Sequence, residues 1–292
     1  MATENTYLLD PESAEEMARL MKQGRLITRA IGLFPVGVDP HQLPSIVPHK
    51  QRVPQLLDIG CGPGAWALDA AAKYPALEIT GVDVSQLMVR YANAEAESRE
   101  QPNAKFLAMN VLEPLLFANE SFDLVHIRTA VSFIPREKWV SVLKECWRIL
   151  RPGGLLLSVE GESGIVTCAS PATGQSLHWL AQALWVQGLG FWDGYSTMLG
   201  IHAMQGKLVA DAGFQVVQQV PAYIDSSYGS DMYQSSLDQQ RVLIGQIEPL
   251  ICNKLGVSKE TFAKIQKEHI RETCLDSFRN ITPFLSVVGR KA

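Results

Sequence analysis

One short segment restricts the folds open to this chain of 292 residues more than any other. Residues 56–64 read Leu-Leu-Asp-Ile-Gly-Cys-Gly-Pro-Gly, an apolar run that ends in closely spaced glycines. This pattern predicts a buried strand, a tight turn and then a helix, because glycine adopts backbone conformations that a Cβ atom disfavours. The bare turn lets the backbone approach a ligand, and the first N–H groups of the helix point at the same place. The segment therefore predicts a site for a nucleotide or nucleoside.

From residue 55 onward the chain alternates short apolar strands with amphipathic helices. Residues 151–154, Arg-Pro-Gly-Gly, predict a tight turn before the fifth strand. The alternation predicts an α/β fold with a mainly parallel sheet and helices on both faces. The predicted strands are 55–59, 77–84, 105–109, 122–128 and 155–160, and the predicted helices are 65–73, 86–98 and 136–150.

An N-terminal segment precedes this core. Asp10 and Pro11 predict the N-cap and the first residue of an N-terminal helix. Residues 34–54 hold several prolines and predict an irregular connection to the core. We expect the segment 1–54 to cover the ligand site.

Beyond residue 160 the alternation lapses for roughly 40 residues, which is long for an α/β connection. Elements resume with a helix near 202–212, a strand near 215–224, more helix up to 279 and a last strand at 284–290. We therefore expect a core at 55–160, a cap for the substrate at 161–212 and the completion of the core sheet at 213–292. The large apolar side chains of this segment are Trp179, Trp185, Phe191, Trp192, Tyr195 and Met198.

An acidic residue ends the second predicted strand. Asp83 follows Glu-Ile-Thr-Gly-Val, so it lies at the same edge of the sheet as the glycines. A carboxylate at this position can accept hydrogen bonds from both ribose hydroxyls of a nucleoside. The loop also satisfies the looser dinucleotide pattern with Ala65 as the third small residue, so a dinucleotide site stays open on these residues alone.

Four motifs occur in order between residues 56 and 160. They are Asp58 with Gly60, Gly62 and Gly64; Gly-Val-Asp-Val-Ser at 81–85 with Met88; Ser-Phe-Asp-Leu-Val at 121–125; and Leu-Arg-Pro-Gly-Gly at 150–154. Together they resemble the class I S-adenosylmethionine-dependent methyltransferases. The resemblance implies a Rossmann-like, mainly parallel seven-stranded sheet and S-adenosylmethionine as the cofactor, and the lapse after residue 160 adds a helical cap insertion to this fold.

The resemblance also implies where the cofactor lies. Its methionine end is expected over the glycine loop, its ribose against Asp83, and its adenine among the side chains that follow the second and third strands. Many relatives have an Asp where this chain has Asn110, whose oxygen still accepts a hydrogen bond from the adenine amino group without charge assistance. The implied cofactor-binding residues are Asp58, Gly60, Gly62, Gly64, Asp83, Val84, Met88, Asn110 and Val111, with Tyr7 and Gln23 from the N-terminal segment.

Methyl transfer requires an acceptor atom aligned with the methyl carbon, and a base where the acceptor must lose a proton. Arg128 and Glu160 end the fourth and fifth strands, where open α/β sheets bind ligands. Arg128 would hold an acidic or phenolate substrate, or the carboxylate of the cofactor. His178 and His202 flank the cap and are the candidate histidine bases, whereas Glu162 is less favoured because it lies farther into the loop. His126 lies inside a strand, where a satisfied core residue is expected.

Composition restricts the partners and the compartment. A net charge of −4 without a Lys/Arg cluster disfavours nucleic acid, and no apolar run is long enough to span a bilayer. The N-terminal residues do not resemble a signal peptide, and the five scattered cysteines indicate reduced thiols rather than disulfides or a metal site. We expect a cytoplasmic protein with a small-molecule substrate and no metal, and a homodimer stays open.

The sequence therefore predicts a methyltransferase that acts on an O, N or C atom of a small, apolar or aromatic metabolite. An NAD(P)-dependent oxidoreductase is the first alternative. It is disfavoured by Asp58, where dinucleotide enzymes have an apolar residue, and by the lack of a Tyr-x-x-x-Lys pair. The second alternative is a cofactor-binding protein of this fold that does not transfer a methyl group.

Overall fold

A single mixed sheet organises the part of the chain that the computed structural model describes, residues 7, 9–40, 52–167, 169–191 and 197–292. Its spatial order is β3-β2-β1-β4-β5-β8, with β7 and the short β6 also paired to β8. Strands β1 to β5 are parallel, and β8 runs antiparallel to its neighbours. The strands are β1 (Gln55–Ile59), β2 (Glu78–Asp83), β3 (Ala104–Ala108), β4 (Phe122–Arg128), β5 (Leu150–Gly161), β6 (Ile165–Val166), β7 (Gln215–Asp225) and β8 (Asn280–Arg290).

Helices cover both faces of this sheet. Leu56 packs in one apolar core with Trp66 and Leu68, whereas Leu57 packs in the opposite core with Leu143. Successive side chains of a strand point to opposite faces, so β1 is buried on both sides and reads as a continuous apolar run. The predicted Rossmann-like α/β fold is confirmed. The helices are α1 (Ala14–Ile31), α2 (Ala65–Lys73), α3 (Gln86–Ser98), α4 (Trp139–Ile149), α5 (Pro171–Val186), α6 (Ile201–Asp211), α7 (Tyr233–Leu255) and α8 (Lys259–Thr273).

The predicted start of the N-terminal helix is wrong. Helix α1 begins at Ala14, and the N-cap is Ser13, whose hydroxyl accepts a hydrogen bond from the backbone N–H of Glu16 at 3.4 Å. Asp10 instead accepts from the N–H of Glu12 at 3.0 Å, within the turn before the helix. The Asp-Pro signal thus marks a turn rather than a cap. Residues 41–51 of the predicted irregular connection lie outside the described residues.

The Arg-Pro-Gly-Gly segment is a bulge inside β5 rather than a turn before it. Phe122 of β4 pairs with Leu150 and Leu124 pairs with Leu155, so residues 151–154 have no register partners on β4. Gly153 takes a φ of 77°, which favours glycine. The bulge brings the guanidinium of Arg151 onto the buried carboxylate of Asp123.

Helices α5, α7 and α8 form a second layer with its own apolar core of Trp179, Ile247, Ile251 and Phe262. Helix α6 instead packs on the sheet, with Leu208 and Val209 in the core that contains α4. The division at residues 54, 160 and 212 stays a prediction, and this packing favours a cap of α5, α7 and α8 over one at 161–212. No described helix has the length and apolar run that crossing a membrane requires.

Charged side chains hold α5 at both ends. At its N-terminus the buried carboxylate of Glu272, from α8, accepts the backbone N–H groups of Ala172 and Thr173 at 2.9 and 2.8 Å. At its C-terminus the guanidinium of Arg136 donates to the carbonyls of Trp185, Gly188 and Leu189. Both charges have the sign that the helix dipole favours. The cap is therefore tied to the core through Arg136.

We expect Glu272→Gln to lower the free energy of unfolding by about 1–3 kcal/mol, since glutamine replaces one of the two accepting oxygens by an NH2 group that faces a backbone N–H. Urea denaturation of the full chain measures this. Glu268→Gln, also on α8, is the matched control because its ion pair with Arg271 is largely exposed, and little or no change is expected. Equal effects of the two substitutions would contradict the capping role of Glu272.

Candidate cofactor and substrate site

A cavity of about 280 Å³ opens at the carboxyl ends of the strands. Its floor includes Gly60 after β1, Asp83 at the end of β2 and Arg128 at the end of β4. Helix α1 and the cap helices α5 and α7 close over it through Leu20, Leu180, Leu184 and Leu243. Its position matches the place where open α/β sheets bind ligands.

The glycine loop has the backbone that only glycine adopts readily. The φ angles of Gly60, Gly62 and Gly64 are 63°, 53° and 83°. A Cβ atom on Gly60 would lie 2.5 Å from the ring of Phe133, whereas one on Gly62 would meet only Leu20, at 3.7 Å. The loop therefore presents bare backbone to the cavity, as the sequence predicts. Gly64 does not line the cavity and is the residue from which α2 starts.

The carboxylate of Asp83 fixes the glycine loop. Its Oδ2 accepts the backbone N–H of Gly62 at 2.8 Å, and its Oδ1 accepts the N–H of Ser85 at 2.9 Å. Burial raises the pKa of Asp83, and these two hydrogen bonds oppose that shift. Asp83 also lines the cavity, so the same carboxylate can both brace the loop and face a ligand.

Asp58 lines the cavity next to the loop and is only 3% exposed. Its Oδ1 lies 2.7 Å from Nδ1 of His126, the residue opposite it on β4. A carboxylate only accepts, so His126 donates its Nδ1–H to Asp58. Burial lowers the pKa of His126, and the charge of Asp58 opposes that shift. The predicted role of His126 as a satisfied core residue agrees with this hydrogen bond.

Arg128 brings a positive charge into the same end of the cavity. Its Nη1 donates to the hydroxyl of Thr28 on α1 at 3.2 Å. Burial lowers the pKa of Arg128, and the negative charges of Asp58 and Asp69 oppose that shift. The guanidinium is thus held between α1 and the sheet.

The adenine side of the predicted site also comes together. Val84, Met88, Asn110 and Val111 all line the cavity. The Oδ1 atom of Asn110 accepts the backbone N–H of Leu112 at 3.0 Å, which orients the amide. An amide oxygen has a second lone pair, so this bond leaves room for a ligand donor.

Sequence reasoning missed most of the α1 surface in the cavity. A stripe at helical spacing faces inward, of which only Gln23 was predicted; it comprises Arg19, Leu20, Gln23, Gly24 and Ile27. A Cβ atom on Gly24 would lie 2.6 Å from that of Ala65, so α1 crosses the start of α2 at a glycine. Gly24 lies in the middle of α1, with no turn-forming residues beside it in the sequence. A glycine at such a position indicates close packing against another element, and this signal could have revealed the contact.

A buried network ties Tyr7 to the same helix. The Tyr7 hydroxyl donates to Glu16, and Arg19 binds Glu16 through two hydrogen bonds of 2.6 Å. Burial raises the pKa of Tyr7 above its usual value. Tyr7 and Arg19 both line the cavity, so this network forms part of its roof.

The structure does not bring the other predicted catalytic residues to the cavity. The carboxylate of Glu160 is fully buried and accepts the N–H groups of Ala130 and Val131 at 2.9 and 3.1 Å. Burial raises its pKa to about 8, and these hydrogen bonds act in the opposite direction. His202 contacts the carbonyl of Glu160 at 2.9 Å, and His178 lies on α5 outside the lining.

Glu162 lies where Glu160 was expected. It lines the cavity, is 5% exposed, and accepts the backbone N–H groups of Ser163, Leu199 and Gly200. It therefore ties the end of β5 to the start of α6. Position in the loop does not remove Glu162 from the site, because Glu162 directly follows the last residue of β5 and lines the cavity.

The large side chains expected near the substrate pack elsewhere. Trp179 lies in the cap core, the Trp185 ring lies under the Arg136 guanidinium at 3.4 Å, and Phe191 packs against Trp139. Leucines 180, 184, 199 and 243 line the cavity in their place. Trp192 and Tyr195 lie outside the described residues. In the described ranges no group of three or more His, Cys, Asp or Glu side chains is placed to hold a metal.

Comparison with known proteins agrees with this architecture. Residues 56–154 match the methyltransferase domain family. Methyltransferase str3 of Strobilurus tenacellus is 37% identical over 53% of this chain and 49% of its own length. Demethylmenaquinone methyltransferase of Lactococcus lactis is 34% identical over 36% of this chain and 41% of its own length.

A solved structure extends the likeness beyond that domain. Phosphoethanolamine N-methyltransferase 2 of Haemonchus contortus, with phosphomonomethylethanolamine and S-adenosylhomocysteine, aligns with a TM-score of 0.52 at 15% identity. The alignment covers 94% of this chain and 57% of that one. At this identity the likeness concerns the fold. The chain spans half or less of the length of the two curated relatives.

The family domain, the sheet order and the glycine loop with its two carboxylates point to one class. Residues 56–154 match the methyltransferase domain family, and the sheet around them has the Rossmann-like order expected of class I S-adenosylmethionine-dependent methyltransferases. The resemblance inferred from four short motifs is confirmed.

We expect Gly60→Ala to destabilise the protein for two reasons. A left-handed φ costs about 1–2 kcal/mol for a residue with a Cβ, and the contact with Phe133 adds about 1–3 kcal/mol. Gly256→Ala is the matched control, because Gly256 has a φ of 70° and an added Cβ atom would meet nothing within 4 Å. Urea denaturation should show the larger loss for Gly60→Ala, and equal losses would show that Phe133 does not restrict the loop.

Proposed function

We propose that this chain transfers a methyl group from S-adenosylmethionine to an O, N or C atom of a small, apolar or aromatic acceptor. The observation that carries the proposal is the Asp83 carboxylate, which faces the cavity while it braces a bare glycine loop. The membership of residues 56–154 in the methyltransferase domain family supports it. A cytoplasmic location and a homodimer stay predictions.

The residues that line the cavity fit each part of the methyl donor, S-adenosylmethionine. Gly60 and Gly62 leave space for its amino-acid tail because no Cβ stands there, and Asp83 is placed to accept the ribose hydroxyls. Val84, Met88 and Val111 supply an apolar slot for adenine. When bound, the donor supplies an activated methyl group on a sulfonium.

Arg128 fits the carboxylate of that tail better than a substrate group. It lies beside Asp58 and bonds to Thr28 of α1, on the side of the cavity where the glycine loop begins. Asp58 and Arg128 together offer one negative and one positive charge, which matches an ammonium and a carboxylate on the same carbon. The sequence left two roles open for Arg128, binding of the substrate or of the cofactor carboxylate. We assign it to the cofactor carboxylate.

The acceptor side of the cavity is apolar. Leu184, Leu199, Leu243, Val131 and Phe284 line it. Burial of apolar surface is the main driving force for such a site, so an acceptor with little charge is favoured. The name of the demethylmenaquinone relative is consistent with a ring-containing acceptor of this kind.

The residues of the chain act mainly by positioning. The cap leucines and Phe133 exclude water and align the acceptor with the methyl carbon, which contributes roughly 7–11 kcal/mol in favourable cases. No histidine occurs among the described lining residues. Some acceptors must lose a proton during the transfer. Of the two glutamates, Glu160 and Glu162, we assign the role of proton acceptor to Glu162, because Glu162 lines the cavity and Glu160 does not.

Thermal-shift titration tests the donor assignment. S-adenosylhomocysteine should raise the melting temperature, because a ligand at about 100 times its Kd stabilises by about 2.7 kcal/mol. NAD and NADP are the matched controls and should leave it unchanged. Stabilisation by NAD or NADP alone would overturn the proposal in favour of an oxidoreductase. Methyl-labelled donor incubated with a metabolite extract then tests transfer, and no labelled product would indicate binding without transfer.

Asp83→Ala should weaken S-adenosylhomocysteine binding by about 10–100-fold, because it removes charged hydrogen-bond acceptors worth about 1.5–3 kcal/mol. Isothermal titration calorimetry measures this. Asp211→Ala removes an exposed carboxylate that pairs with Lys207 on α6 and should leave the affinity unchanged. Unchanged affinity in the Asp83 variant would refute its assignment to the ribose.

A further inference from the structure

We propose, resting on the function above, that His126 is a positioning residue for the amino-acid tail of the donor. It holds one oxygen of Asp58 so that the other oxygen faces the donor ammonium. The assignment differs from a general structural role, because it concerns only the tail and not the adenosine part of the ligand.

The first observation is the state of the Asp58 carboxylate. Oδ1 is bound by His126 at 2.7 Å, and Asp58 lines the cavity while only 3% exposed. No hydrogen bond to Oδ2 occurs among the described residues. Oδ2 is not one of the fully enclosed side-chain oxygens that lack a partner in the described residues, so it remains reachable from the cavity. An ammonium group bound there would donate a charge-assisted hydrogen bond to it.

The second observation is the rigidity of the His126 ring. It is 1% exposed and stacks on the Trp66 indole with ring centroids 3.8 Å apart and planes 16° from parallel. The indole Nε1–H donates to the carbonyl of Leu33 at 2.8 Å, which fixes the orientation of the indole. The imidazole is thus locked by packing before any ligand binds.

The third observation is register. Asp58 and His126 are direct neighbours on the parallel strands β1 and β4, so their side chains leave the sheet on the same face. Asp58 precedes the glycine loop and Arg128 lies two residues beyond His126. The strand pair therefore sets the spacing between the negative and the positive group that would bind the tail.

Two ligands separate tail recognition from general stability. S-adenosylhomocysteine carries the amino-acid tail, and 5′-methylthioadenosine lacks it but keeps the adenosine part. We expect His126→Leu to lower the affinity for S-adenosylhomocysteine by about ten-fold and for 5′-methylthioadenosine by less than about two-fold. Calorimetry with both ligands gives the comparison.

Two amide variants keep the test decisive should His126→Leu fail to fold. Asparagine places its amide nitrogen near the position of Nδ1, whereas glutamine places it near Nε2. His126→Asn should therefore restore most of the S-adenosylhomocysteine affinity, and His126→Gln should not. In a double-mutant cycle with Asp58→Asn the losses should be clearly non-additive, since the two residues act on one group.

The outcomes are distinct. Equal losses for both ligands, equal behaviour of the Asn and Gln variants, or additive losses in the cycle would each overturn the positioning role while leaving the proposed function intact. If the wild-type chain binds neither ligand, the proposed function itself fails. Selective loss of S-adenosylhomocysteine affinity with rescue by Asn supports the assignment.

Discussion

Two backbone N–H groups that converge on the Asp83 carboxylate determine the shape of the ligand-facing edge. One comes from the glycine loop after β1 and the other from Ser85, the N-cap of α3. The Ser85 hydroxyl in turn donates to the carbonyl of Pro11 at 2.9 Å. A single acid therefore links two strand ends, a helix start and the N-terminal segment, and the remaining site residues take their places around it.

The cap depends on a different kind of interaction. Its helices share an apolar core. The position of α5 over the cavity is fixed by two charged side chains that bind the backbone at its ends, Glu272 at the N-terminus and Arg136 at the C-terminus. Arg136 follows the turn at 130–132, which Glu160 holds by two hydrogen bonds. The residue predicted to be a catalytic base thus contributes to the site by holding the segment that carries Val131 and Phe133.

The part of the cavity formed by the glycine loop and the end of β2 could be predicted from the sequence, because its signals are local. The bounds predicted for β1, α2, α3 and β4 agree with the structure, and the glycine loop with Asp83 lies where the motifs place it. The part of the cavity under the cap depends on contacts between distant segments. Strand periodicity cannot separate Glu160 from Glu162, since both point the same way in an extended chain. Only the turn at 130–132, which occupies Glu160, distinguishes them.

The contact of α1 with α2 at Gly24 leaves no room for even a methyl group. The distance between α1 and the start of α2 is therefore set by the bare Gly24 and the methyl group of Ala65, and a larger side chain at either position would push the two helices apart. The leucines of the cap are under no such restriction. An enzyme built this way would keep its methyl donor through evolution while it exchanged one acceptor for another.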